Sequence, residues 1–114
     1  MAFFKEPKNT ERIFWTKHVK GKMRYYRLGE GRLKRVLLNP KRVEEGIAPN
    51  TIAIMQPAGT KKHPTEIWMM YQIFKRPKGI KIISAWRYPT ISPKGKSLPI
   101  PDDVLQDLIK EGLI

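Results

Sequence analysis

His18 and His63 are the only side chains whose unperturbed charge changes near neutral pH, and His18 lies among cations, with Lys17, Lys20 and Lys22 around it. An imidazole can take the proton of an RNA 2′-hydroxyl or return one to the leaving oxygen. Neighbouring cations can hold the charge that grows on the scissile phosphate. Arg87, Tyr71 and Tyr88 extend the set with a guanidinium for phosphate and two rings for stacking on bases. These residue types suit metal-independent cleavage of RNA. They suit equally a surface that holds nucleic acid and cuts nothing, with His18 as one more phosphate contact.

Other chemistries find little footing. The chain has no cysteine, so disulfides, thiolate zinc sites and cysteine nucleophiles are excluded. The two histidines fall in different elements. Asp102 and Asp103 stand together where a helix begins, and Glu44 and Glu45 in a connector, so no set of oxygens converges on a metal. Phosphate loops of the GxxxxGK[ST] or GxGxxG kind are missing, as is the GxSxG turn. No metal and no cofactor are expected.

Charge identifies the class of partner. The chain holds 23 Lys and Arg against 10 Asp and Glu, a formal net charge of +13. Residues 1–42 hold 13 basic and 3 acidic side chains, whereas residues 101–114 carry a net charge of −3. A basic front of this size fits a polyanion, RNA or another nucleic acid, because neutralising phosphates releases counterions. An acidic protein partner fits the same charge. No free basic amphipathic helix and no run of about 20 apolar residues is present, so a membrane is not an expected partner and a cytoplasmic location is.

The elements that must position these residues follow from periodicity. Residues 1–12 are polar and proline-interrupted and read as a loose arm. Trp15, Val19, Met23 and Tyr26 recur at helical spacing, with Thr16 as a cap and Gly29 as a stop. Residues 30–38 read as a second helix ended by Asn39 and Pro40, and residues 41–50 as a connector. Three β-like runs follow at 51–57, 66–74 and 81–88, joined by turn-rich segments at 59–65 and 75–79. The middle run is apolar on both faces and is expected at the centre of an antiparallel sheet. Strict alternation in the third puts Ile83, Ala85 and Arg87 on one face, and Ile82, Ser84, Trp86 and Tyr88 on the other. A proline-rich link, 90–100, leads to a last helix from Pro101, apolar at Val104, Leu105, Leu108 and Ile109. Its acidic balance on a basic protein predicts that it lies across one sheet face and restricts access there.

Residues 16–47, TKHVKGKMRYYRLGEGRLKRVLLNPKRVEEGI, and the strand KIISAWR at 81–87 carry a family resemblance. The first resembles the start of small bacterial domains whose first helix has a T-[KR]-H-A…M…R pattern and whose second ends in Asn-Pro. The strand is similar to the IISAR strand of the BrnT toxins, in the wider RelE-like ribonuclease fold. The resemblance spans roughly residues 13–89. It implies a toxin-like, metal-independent endoribonuclease neutralised by an antitoxin protein, with the family's histidine at His18, its helix arginine at Arg24 or Arg27 and its strand arginine at Arg87. One position departs: BrnT has arginine directly after Ser-Ala, where this chain has Trp86.

The combined expectation is an α+β domain, with two N-terminal helices on a three- or four-stranded antiparallel sheet and a C-terminal helix docked on it. His18 is the candidate acid or base, with Lys22 and Arg87 on the phosphate. Lys17, Lys20, Arg24, Arg27, Tyr71 and Tyr88 are the candidate nucleic-acid contacts.

Overall fold

The structure, a computed structural model, describes residues 4–75 and 78–114. It is an α+β fold of three helices and one five-stranded mixed sheet. In chain order the elements are β1 (Ile13–Trp15), α1 (Lys17–Tyr26), α2 (Glu30–Leu38), β2 (Arg42–Glu45), β3 (Thr51–Gly59), β4 (Pro64–Lys75), β5 (Lys78–Tyr88) and α3 (Asp102–Lys110). The strand order is β1-β5-β4-β3-β2, with β4 at the centre as its two apolar faces require. Of the expected connector at 75–79, residues 76 and 77 lie outside the described residues.

Two short edge strands correct the expected three- or four-stranded antiparallel sheet: they bring it to five strands, and β1 makes it mixed. β1 pairs parallel with β5, Ile13 opposite Ile80 and Trp15 opposite Ile82, and β2 pairs antiparallel with β3. Three or four residues are too few to show a period, and the partner of β1 lies far away in sequence. The N-terminal arm is not loose over residues 4–12. Asn9 Oδ1 accepts the Trp15 N–H at 2.8 Å, Thr10 Oγ1 accepts that of Ile13, and the Arg24 guanidinium lies 5.3 Å from the Phe4 ring centroid.

α1 starts where its cap predicts, since Thr16 Oγ1 accepts the Val19 N–H at 3.1 Å. Its stop is Arg27 rather than Gly29: Arg27 turns left-handed at φ 56°, and the Leu28 N–H bonds back to the Met23 carbonyl at 2.8 Å. Leu28 is fully buried by that turn, an apolar contact that offsets the strain of a non-glycine residue there. Gly29 becomes the N-cap of α2.

A bulge corrects the facing of β5. Tyr71 pairs with Ile82 and Met70 with Ser84, so Ile83 is the extra residue and the alternation slips by one. Ile82, Ala85 and Arg87 therefore share one face. That face packs with Val19, Met23, Leu28, Leu33 and Val36 of the N-terminal helical segment in the first core. Ile83, Ser84, Trp86 and Tyr88 share the other face. There Met55, Trp68, Met70 and Trp86 meet Val104 and Leu108 of α3 in the second core. Trp68 and Trp86, directly cross-strand, stack with ring planes 9° apart. The last helix thus completes one of the two cores.

Candidate functional site

Position along the edge of β5 decides what surrounds His18. The Thr16 hydroxyl, besides capping α1, donates to the Ile83 carbonyl at 2.9 Å, and the Thr16 N–H donates to Ile82. These bonds fix the first turn of α1 against the bulge and send the imidazole inward. Its Nε2 lies 2.8 Å from Ser84 Oγ and its Nδ1 2.7 Å from Glu111 Oε2. The ring is 1% exposed and Ser84 is fully buried. A neutral imidazole donating from Nδ1 to Glu111 and accepting the Ser84 O–H satisfies all three groups; this tautomer is assigned from the partners. Serine, histidine and carboxylate stand in the order that activates a nucleophile. With the hydroxyl sealed from solvent, the chain of bonds acts as a strut joining α1, β5 and the end of α3.

One turn further on, Lys22 is tied to the same helix. Its ammonium, 9% exposed, lies 2.6 Å from Asp107 and 3.0 Å from Asp103, and bonds the Asp103 carbonyl. Burial works against the lysine charge. The Asp107 and Asp103 carboxylates outweigh it, and the Lys22 pKa is raised above its ordinary value. The hydrogen bond from Lys22 likewise holds Asp107 below the usual carboxylate range. Tyr26 donates its hydroxyl to Asp103 at 2.7 Å, and burial first, then that bond, pushes its phenol up. The acidic face of α3 is therefore spent on α1, and Lys22 has no free charge for a phosphate.

Arg87 stands apart from both. It is half-buried on the face opposite Ser84 and Trp86, and donates to the Tyr26 carbonyl at 3.4 Å. The bulge precedes Ser84, so it leaves this arginine across the sheet from Trp86. Gln56, Ile67 and Arg87 form one cross-strand row. Arg32 of α2 reaches into it and donates to Gln56 Oε1, while the Gln56 amide donates to the Arg35 and Asn39 carbonyls at 3.2 and 3.0 Å. Burial lowers the Arg32 pKa, and the like charges of Arg35 and Arg87 lower it further. None of the three arginines has a carboxylate in salt-bridge contact among the described residues. The exposed turn of β3 into β4, with Lys61, Lys62 and His63, rises three residues beyond this row, about 10 Å at the usual strand pitch.

The remaining expected contacts are dispersed. Lys17 is exposed, Lys20 pairs with Glu6 at 3.2 Å, Arg24 covers Phe4, and Arg27 is exposed at the left-handed turn. Tyr71 packs against the first core and Tyr88 against the second, on opposite faces of the sheet. His18, Arg87 and Tyr88 thus do not share one open surface. Arg32 and Arg35 were open to sequence reasoning, since their i,i+3 spacing sets them side by side on α2. Gln56, which anchors them, carries no sequence signal of its own. No group of acidic, histidine or cysteine side chains able to hold a metal ion occurs among the described residues, and no helix there is long and apolar enough to cross a membrane. No family model, curated protein or solved structure matches the chain.

Proposed function

We propose that the protein binds single-stranded RNA at the cationic end of its sheet, and holds it uncut while α3 is docked. The observation that carries this reading is that Arg32 reaches the cross-strand row holding Arg87, with Arg35 one turn along α2, and none of the three has a carboxylate in salt-bridge contact among the described residues. Like charges gathered in this way cost free energy in the isolated protein, and phosphates relieve that cost. Lys61 and Lys62 continue the positive surface at the exposed turn of β3 into β4. The family resemblance favours RNA over DNA.

Cleavage, which that resemblance also implies, asks more of the molecule. His18 would have to exchange Ser84 and Glu111 for a 2′-hydroxyl, and Lys22 would have to exchange Asp103 and Asp107 for a phosphate. Both exchanges require α3 to leave. An acidic partner such as an antitoxin would compete for the arginine surface. Incubation of the pure protein with RNA in EDTA separates the readings. Salt-sensitive binding with intact RNA is expected. Cleavage that His18→Ala abolishes would overturn the non-cleaving reading, and absence of binding at low salt would overturn the RNA reading itself.

A further inference from the structure

The opposite face of the same sheet end holds a cleft of about 270 Å³ between β2, β3, β4 and the segment after β5. This is near the lower limit of ligand pockets, about 300–1,000 Å³. Its walls are Met55, Pro57, Pro64 and Ile91, the last 65% exposed at the mouth. Glu66 forms the floor and is 3% exposed. Its Oε1 accepts the Trp68 indole N–H at 3.0 Å and the Ser92 hydroxyl at 2.6 Å, and its Oε2 accepts the Ser92 N–H at 3.1 Å. A carboxylate has about four acceptor sites, so one remains open on Oε2.

The rim is cationic. Arg42 lies 5.1 Å above the Trp68 ring and is held by Ser92 and Glu44, whereas Lys41 and Lys94 form no salt bridge among the described residues. The cleft therefore offers apolar walls, one buried acceptor for an N–H donor, and two cations at the entrance. A ligand that answers all three is flat and apolar, donates one hydrogen bond from an edge, and carries an anion on a short tether. We infer that this cleft takes a single nucleotide whose base bears an exocyclic amino group, with the amino N–H on Glu66 and the phosphate at Lys41 and Lys94. A carboxylate accepting from such an amino group is a known form of base readout. Uracil, which lacks the amino group, would leave that acceptor unanswered.

The cleft and the arginine surface lie on opposite faces, so each can be tested while the other is intact. Titrating the protein with CMP, AMP, UMP and ribose 5-phosphate, and following the Trp68 indole and Ser92 amide resonances, reads the cleft alone. The expected result is saturable shifts with CMP or AMP in the millimolar range, at least about tenfold weaker with UMP. Lys41→Glu/Lys94→Glu should weaken CMP binding by about tenfold or more, and its substitutions are on exposed side chains that leave the buried Glu66 network in place. Ile91→Asp, at an exposed position, should weaken it independently by removing an apolar wall. Equal shifts with ribose 5-phosphate, equal affinity for UMP, or no shift at all would each overturn the inference.

Discussion

If Arg32, Arg35 and Arg87 are the phosphate contacts, replacing all three with glutamine changes the salt dependence of binding by a calculable amount. Each phosphate contact on a single strand contributes about −0.7 to the slope of log Kobs against log salt, so losing three makes the slope shallower by about 2. The fold should survive. Arg35 is exposed, the Arg87 bond to Tyr26 is long at 3.4 Å, and only Arg32 gives up a side-chain partner, Gln56. A net hydrogen bond is worth about 1 kcal/mol, and removing the mutual repulsion offsets part of that. Fluorescence anisotropy of a labelled single-stranded RNA over a potassium chloride series gives the slope, and urea denaturation gives the stability. The control is Lys75→Gln/Lys78→Gln/Lys81→Gln, which removes the same charge near the opposite end of β4 and β5. A slope that changes equally in both variants would show that net charge, not this surface, sets affinity, and would refute the reasoning.

The strut and latch around α3 make further predictions. His18→Ala should cost about 1–3 kcal/mol in urea denaturation, because the Ser84 hydroxyl is left buried without its partner, and unchanged stability would contradict the strut. Removing residues 98–114 strips Val104 and Leu108 from the second core, about 3–6 kcal/mol for two buried aliphatic side chains. That is a large part of a typical 5–15 kcal/mol, so loss of a cooperative thermal transition is expected rather than an opened, folded domain. The docked helix should also have a defined pH range. Asp107 has a lowered pKa, so its contribution holds above the ordinary 3.8 and is lost as pH falls through the lower folded value. Lys22 has a raised pKa, so its contribution holds below 10.5 and is lost as pH rises through the higher folded value. Stability measured against pH in Asp107→Asn should lose the acid limb owed to this group, and an unchanged limb would exclude the pair as its cause. Gly59→Ala meets two obstacles, φ of +78° and a Cβ that would collide with the His63 carbonyl oxygen. It should lower the melting temperature by several degrees and disturb the Lys61–His63 turn.

Much of the architecture was legible because its signals are local. The stripe Val19, Met23 and Tyr26 needs only neighbours one turn away, as does the cap at Thr16, and the doubly apolar run of β4 is read within the strand itself; Trp15, which matched the helical spacing, instead ends β1. What escaped is non-local. β1 exists because Ile80 and Ile82 offer it an edge 67 residues later, and the bulge at Ile83 lets β5 match β4 on one side and the start of α1 on the other. A slip of one residue changes which side chains share a face, and no periodicity within residues 81–88 announces it.

By itself the sequence determined the charge, the absence of cysteine chemistry, the α+β class and the residue types able to meet a phosphate. Tertiary structure decided which of those residues are free to do so. His18 and Lys22 looked available because their neighbours in sequence are cations. Their neighbours in space are Glu111, Asp103 and Asp107, between 81 and 93 positions away. Arg32 looked ordinary and Arg87 was an expected phosphate contact, and packing set both at one cross-strand row with no carboxylate in salt-bridge contact among the described residues. Charge is fixed by composition, whereas its availability depends on distance and burial, and these are set only when α3 and the sheet have closed around α1.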